Sequence, residues 1–281
     1  MEKIYALVIF LLLSTMILAQ NETEKKDTLW TPKGVIGLNV SQVAFTNWTQ
    51  GGENSLAFTI FTHFNLDYIG DPWTWKNNLK LTYGRTKIGN QEVRTNDNEI
   101  FFESSIIRNV GWVVNPYAGV TARSAITDGF KYDDTPVQIV GFLDPLYLTE
   151  GIGVAYDKIE NFSTRAGLGL KQTIADKFAM QYSDDSDTPE IEKFKSETGI
   201  ESVTEFKWRF LENMEFSTYL RLFGTFDDLG VWDVRWDNTI VAKINDYFNV
   251  NLNVLLIYDT DETLRTQLKQ ALQLGFSYTL F

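Results

Sequence analysis

From Gly34 to Phe281 the chain is a run of about twelve segments in which apolar and polar residues alternate, joined by connectors that are in turn short and long. Side chains alternate faces along a β-strand, so each such segment has one apolar and one polar face. Leu56, Phe58, Ile60, Phe64, Leu66 and Tyr68 fall on one side of a strand, with Thr59, His63, Asn65 and Asp67 on the other. After Gly70-Asp71-Pro72, Trp73, Trp75, Leu79, Leu81 and Tyr83 oppose Lys76, Asn78, Lys80 and Thr82. Phe206–Phe210, Phe216–Leu222, Trp232–Ile240 and Phe248–Leu256 repeat the scheme.

The connectors carry the topology. The short ones are 70–72, 113–115, 157–161, 212–213 and 245–246. Between them fall longer ones at 46–53, 87–97, 129–145, 175–199, 227–230 and 259–266. Strict interleaving predicts an even number of antiparallel strands with both chain ends on the short-turn side. This is the pattern of an all-β, up-and-down transmembrane barrel, with short periplasmic turns and long extracellular loops. An unpaired backbone group facing lipid is costly, so only a closed sheet satisfies the design. Segments longer than the roughly 9–11 residues that cross a bilayer extend past it.

The ends agree. Lys3, the apolar run Tyr5–Leu18 and Ala19 before Gln20 read as a secretory signal over residues 1–19. A polar lead-in over 20–33 would precede a barrel over 34–281. Leu268, Leu272, Leu274, Phe276, Tyr278 and Leu280 resemble the terminal strand that the barrel-assembly machinery of the outer membrane recognises, although Phe281 lies one residue out of that alternation. Trp73, Trp112, Trp208, Trp232 and Tyr278 are candidates for interfacial girdles.

In a membrane barrel the polar face points into the lumen. The candidate lumen residues are His63, Lys76, Lys80, Glu103, Arg123, Arg165, Lys171, Glu205, Lys207, Arg209, Arg221, Asp233, Arg235, Asp237, Lys243 and Lys269. Bases outnumber acids among them, while acids collect in the long connectors, with Asp176, Asp184, Asp185, Asp187, Glu190, Glu192 and Glu197 in one and Asp259, Asp261 and Glu262 in another. The expectation is an acidic rim over a mildly basic interior. Periodicity alone also fits a soluble barrel with these charges on its outside; the signal, the terminal strand and the strand number favour the membrane. Trp48 and Asp184, Asp185 and Asp187 are candidate loop-binding residues for a protein, glycan, lipopolysaccharide or divalent cations. The Asp184-Asp185-x-Asp187 run lacks the glycine and distal glutamate of a calcium loop.

The net charge of -12 argues against nucleic acid. No Cys is present, which removes disulfide and thiolate chemistry. The single His, His63, is followed two residues later by Asn65 rather than the Ser of an outer-membrane phospholipase. The expectation is therefore a protein without catalytic residues, metal or cofactor: a narrow channel or structural barrel in contact with outer-membrane lipid and lipopolysaccharide, with loop binding as the alternative.

Trp30-x-x-Lys33-Gly34 and Ser41-Gln42-x-x-Phe45-x-Asn47-Trp48-x-x-Gly51-Gly52-x-Asn54-Ser55 resemble the start of an uncharacterised Bacteroidota family, domain of unknown function 3078. Asp144-Pro145-x-Tyr147-Leu148-Thr149-x-Gly151 is similar to a second landmark of it. The resemblance implies an exported outer-membrane barrel with no assigned activity.

Overall fold

The computed structural model describes residues 29–47, 49–132, 135–184, 189–261 and 263–281. The candidate signal, Trp48, Asp185, Asp187 and Glu262 lie outside the described residues. The strands are β1 (Trp30–Val43), β2 (Ser55–Ile69), β3 (Trp73–Ile88), β4 (Arg94–Arg108), β5 (Asn115–Ser124), β6 (Gly129–Tyr132) and β7 (Pro136–Val140). They continue as β8 (Leu146–Ile159), β9 (Phe162–Ile174), β10 (Phe194–Leu211), β11 (Met214–Thr225), β12 (Asp233–Lys243), β13 (Phe248–Asp259) and β14 (Thr263–Thr279). One helical turn, α1 (Ala179–Tyr182), interrupts the β9–β10 connector.

Twelve of these strands close an all-antiparallel barrel, each paired with its sequence neighbours and β1 with β14. The β6–β7 pair is a separate hairpin in the β5–β8 connector. The wall starts at Trp30, so Trp30–Lys33 pair with β2 instead of leading in to the barrel. One connector contradicts the length pattern. The 259–266 segment is not a long loop: β13 runs to Asp259 and β14 begins at Thr263. The 87–97 loop likewise shrinks to 89–93. In both, polar residues face the lumen and therefore continue the strand.

Inner and outer faces separate by chemistry. Ile36, Leu38, Leu56, Ile60, Leu66, Phe102, Ile106, Ile152, Leu168, Trp236, Leu252, Leu268 and Leu272 are exposed on the outside. At the short-turn end this face carries aromatics: Trp30 stacks near Tyr68 and Trp75, with centroids 5.2 and 5.7 Å away, and Phe248 and Tyr247 meet Phe276. Trp73 and its neighbouring Arg108, 5.4 Å from ring to guanidinium, belong to the same zone, as do the exposed Trp208 and Tyr278. Trp112 sits in the 109–114 turn, and Trp232 is at the opposite end, its indole N–H bonded to the Leu229 carbonyl.

The terminal Phe281 finds the apolar face despite its register. β14 ends at Thr279, the Gly34 N–H donates to the Phe281 carbonyl at 3.2 Å, and the Phe281 ring stacks 6.3 Å from Phe64. A Cβ at position 34 would stand 3.0 Å from both rings, so the glycine makes the seat.

Candidate functional site: the charged lumen

The inner wall is organised in layers. Nearest the long-loop end, the Lys171 ammonium is ringed by Asp233 at 2.6 Å, Asp259 at 3.1 Å, Asp261 at 3.3 Å and Glu197 at 3.6 Å. These carboxylates come from β10, β12, β13 and the turn that follows it, while Lys171 belongs to β9. Lys195 links the ring again, to Asp261 at 2.6 Å and Glu197 at 3.4 Å. The Lys171 side chain is only 7% exposed, so its charge is held by protein rather than water. In the turn, burial pushes the Asp261 carboxyl up, but Lys171 and Lys195 outweigh it and hold the group below the usual carboxylate range.

The next layers cross the lumen. Arg235 on β12 makes a two-oxygen contact with Glu99 on β4, at 2.9 and 2.8 Å. These strands stand opposite each other in the ring of twelve. Beside them the Arg221 Nε donates to Glu201 at 2.8 Å, and its guanidinium also reaches Thr149. Midway down, the Tyr219 hydroxyl donates to Glu103 at 3.1 Å, and Phe101 meets the Tyr219 ring edge-on at 6.1 Å. Arg165 bonds the other Glu103 oxygen at 2.7 Å and lies 3.7 Å from Glu205. Charge-assisted hydrogen bonds are shorter and stronger than neutral ones, so these pairs act as struts as well as charge matches.

Glycines make room for the struts. Gly119, Gly151, Gly169 and Gly199 stand in register across β5, β8, β9 and β10. A Cβ at Gly151 would lie 2.6 Å from a Glu201 oxygen, and one at Gly169 would lie 3.1 Å from both Glu201 and the Phe223 ring. The bare patch of wall lets these side chains lie flat.

Toward the short-turn end the pairing thins. His63 shares a 2.8 Å hydrogen bond with Asn78, and Lys80 lies 5.7 Å from the Phe101 ring centre. A cavity of about 220 Å³ opens here, lined by Asn65, Lys76, Asn78, Glu103, Arg165, Glu205 and Lys207 among others. A second cavity of about 340 Å³ lies on the long-loop side, lined by Asp97, Glu99, Arg123, Phe130, Tyr147, Tyr182 and Lys269. The strut layers lie between the two.

The sequence-derived candidates therefore divide. Glu103, Arg165, Lys171, Arg221 and Arg235 meet in the struts. Arg123 lies over the Tyr147 ring at 4.7 Å, and Asp237 accepts a 2.7 Å bond from Asn253. Lys269 pairs with Asp97, which also accepts a 3.0 Å bond from Thr59. Arg209 departs from the expectation: its side chain is 66% exposed at the barrel rim, 3.6 Å from Glu215. Asp184 accepts the Glu192 N–H at 3.1 Å, so it fastens its own loop.

The expected acid-poor interior is corrected. Asp97, Glu99, Glu197, Glu201 and Asp259 all face the lumen and balance its bases. Reading Asp97, Glu197 and Asp259 as loop residues had hidden three of them. The register signal was present: each lies an even number of residues from a recognised lumen residue of its strand or the strand's continuation.

The motif residues have structural work. Asn47, Gly51 and Gly52 adopt φ of 53°, 81° and 123°, and the Phe45 ring covers Gly52, where a Cβ would meet it at 2.8 Å. Asn54 accepts the Phe45 N–H at 2.6 Å. Asp144 receives the N–H groups of Asp176 and Lys177 at 3.0 and 2.9 Å, tying the two longest connectors together.

Structural comparison finds full-length likenesses of low identity. The COG4313 outer membrane channel from Pseudomonas putida F1 is 10% identical, with TM-score 0.38, over 88% of this chain and 94% of that one. The translocator domain of autotransporter NalP from Neisseria meningitidis is 9% identical, with TM-score 0.34, over 94% and 91%. A KdgM porin is 9% identical, with TM-score 0.32, over 88% and 99%. No curated protein matches the chain. Residues 145–279 match the model described as "Protein of unknown function, DUF481". Residues 40–130 match the model described as "Protein of unknown function (DUF3078)", the family that the Ser41–Ser55 motif resembles.

Proposed function

We propose that this chain is a non-enzymatic barrel of the bacterial outer membrane that acts as a narrow channel, constricted by the cross-lumen struts. The observation that carries the reading is the inversion of the two faces: a closed wall with exposed leucines, isoleucines and tryptophans outside, and ion pairs inside. A soluble barrel gains stability by the opposite arrangement, with apolar groups removed from water. The outer face suits lipid and the acyl chains of lipopolysaccharide, and the aromatic zone at the short-turn end suits a membrane interface. His63 is held by Asn78 in mid-strand, and the proposal assigns it a polar wall position and no catalytic role.

The test is single-channel conductance of refolded protein in a planar bilayer across a salt gradient. Small, steady, ion-selective steps are expected. A folded, membrane-inserted barrel that stays silent would refute the channel and leave a structural or loop-binding role. That second reading has one observation of its own: Asp144 ties the β5–β8 and β9–β10 connectors into a joined surface at the long-loop end.

A further inference from the structure

The wall is zipped unevenly. β1 and β14 pair from Val35–Thr279 only as far as Val40–Leu274. β14 nevertheless continues from Gln273 back to Thr263, where its strand pairing among the described residues is with β13. Below the break the seam is fastened: Asn251 donates to Asn39 at 2.9 Å across Gly275, where a Cβ would collide with both. Above it β1 ends at Val43, and the strained residues Asn47, Gly51 and Gly52 carry the chain away from the strand line.

An open sheet edge is unfavourable against lipid, because its N–H and C=O groups have no partner there. The outward leucines of this edge are strongly exposed, Leu264 at 82%, Leu268 at 58% and Leu272 at 65%. The inward residues are polar: Lys269 reaches Asp97, and both line the 340 Å³ loop-side cavity. Arg265, also inward by alternation, is exposed and forms no ion pair among the described residues. The unzipped stretch of β14 thus carries outward leucines on one face and, on the other, Lys269, which lines the polar cavity.

We propose that the upper β1–β14 seam is a lateral portal between the loop-side cavity and the membrane, and that it admits a single-chain anionic amphiphile. The alkyl chain lies along Leu268 and Leu272, and the carboxylate or similar head meets Arg265 and Lys269. The proposal rests on the membrane reading above, but not on axial ion flow.

The absence of Cys allows single reporters. Bimane is attached to Ala271→Cys, inward at the portal, to Ser217→Cys, inward on β11, and to Leu252→Cys, outward on β13. Each protein is folded into liposomes, checked by heat-modifiable migration, and titrated with 12-doxyl-stearate. The expected result is strong quenching at 252 and at 271, little at 217, with the quenching at 271 saturable and reversed by unlabelled stearate. Weak quenching at 271, equal to that at 217, would overturn the portal. Strong but unsaturable quenching at 271 would overturn the binding site, leaving only lipid contact. No quenching at 252 would overturn the membrane reading itself, and the portal with it. If Ala271→Cys does not fold, Gln273→Cys, inward on the same edge, serves instead.

Discussion

The two halves of the lumen are built from similar residues and behave differently. On the long-loop side, Lys171, Arg221 and Arg235 each meet carboxylates at hydrogen-bonding distance, and one of those contacts spans the barrel. On the short-turn side, Lys76 and Lys207 line an open cavity beside Glu205, and His63 bonds the Asn78 amide. The difference shows that charge on a barrel wall does not by itself set the bore. Matched charges draw side chains across the bore at the strut layers, while a cavity remains on either side of them, the larger, of about 340 Å³, toward the long loops.

The largest test of this contrast is to remove the central cation of the paired half. Lys171→Met leaves Asp233, Asp259, Asp261 and Glu197 crowded around a missing charge. Breaking a buried pair by deleting one partner costs about 3–5 kcal/mol. The expected outcome is a large fall in the urea midpoint of the membrane-inserted barrel, and Lys207→Met in the open half should leave it nearly unchanged. Equal effects would dissolve the distinction between the halves.

The next test removes a strut without stranding a charge. Glu99→Gln with Arg235→Gln neutralises both ends of the cross-lumen pair. Conductance should rise several-fold with little loss of stability, because a neutral pair has less reason to stay bridged across the bore. An unchanged conductance would place the constriction elsewhere, at the Glu103–Arg165–Tyr219 layer. A smaller effect is expected from Gly151→Ala. Its Cβ would crowd Glu201 at 2.6 Å, and overpacking costs about 1–3 kcal/mol. Gly119→Ala, where the nearest atom is a backbone oxygen at 3.3 Å, should cost less in the same denaturation assay.

Much of this architecture was legible from alternation. The short turns, the sense of the two faces and most lumen bases follow from period two, because register forces every second residue to one side. The struts were not legible, since Arg235 and Glu99 are 136 residues apart and meet only through closure of the ring. Nor was the loop-side acid ring, because Asp259 and Glu197 sit in polar stretches that resemble loops until the partner strand is known. The β1–β14 seam lay beyond sequence reasoning for another reason. Its break depends on how far two chain ends stay paired, and Leu268 and Leu272 alternate as regularly as the zipped Leu274 and Phe276.

The finest test concerns the open half alone. Lys76 and Lys207 line the cavity from opposite parts of the wall, on β3 and β10, and neither forms an ion pair among the described residues. In a wet cavity their attraction for anions is weakened by screening but acts on every ion that enters. Lys76→Gln with Lys207→Gln should leave folding and unitary conductance close to the parent and move the reversal potential in a salt gradient toward cation preference. The movement should shrink as ionic strength rises, since exposed charges are screened within a shorter distance. A shift that persists at high salt would mean that the paired half, where charges are shielded from solvent, sets the selectivity. Then the cavity on the short-turn side would be only an antechamber, and the choice between ions would be made at the struts.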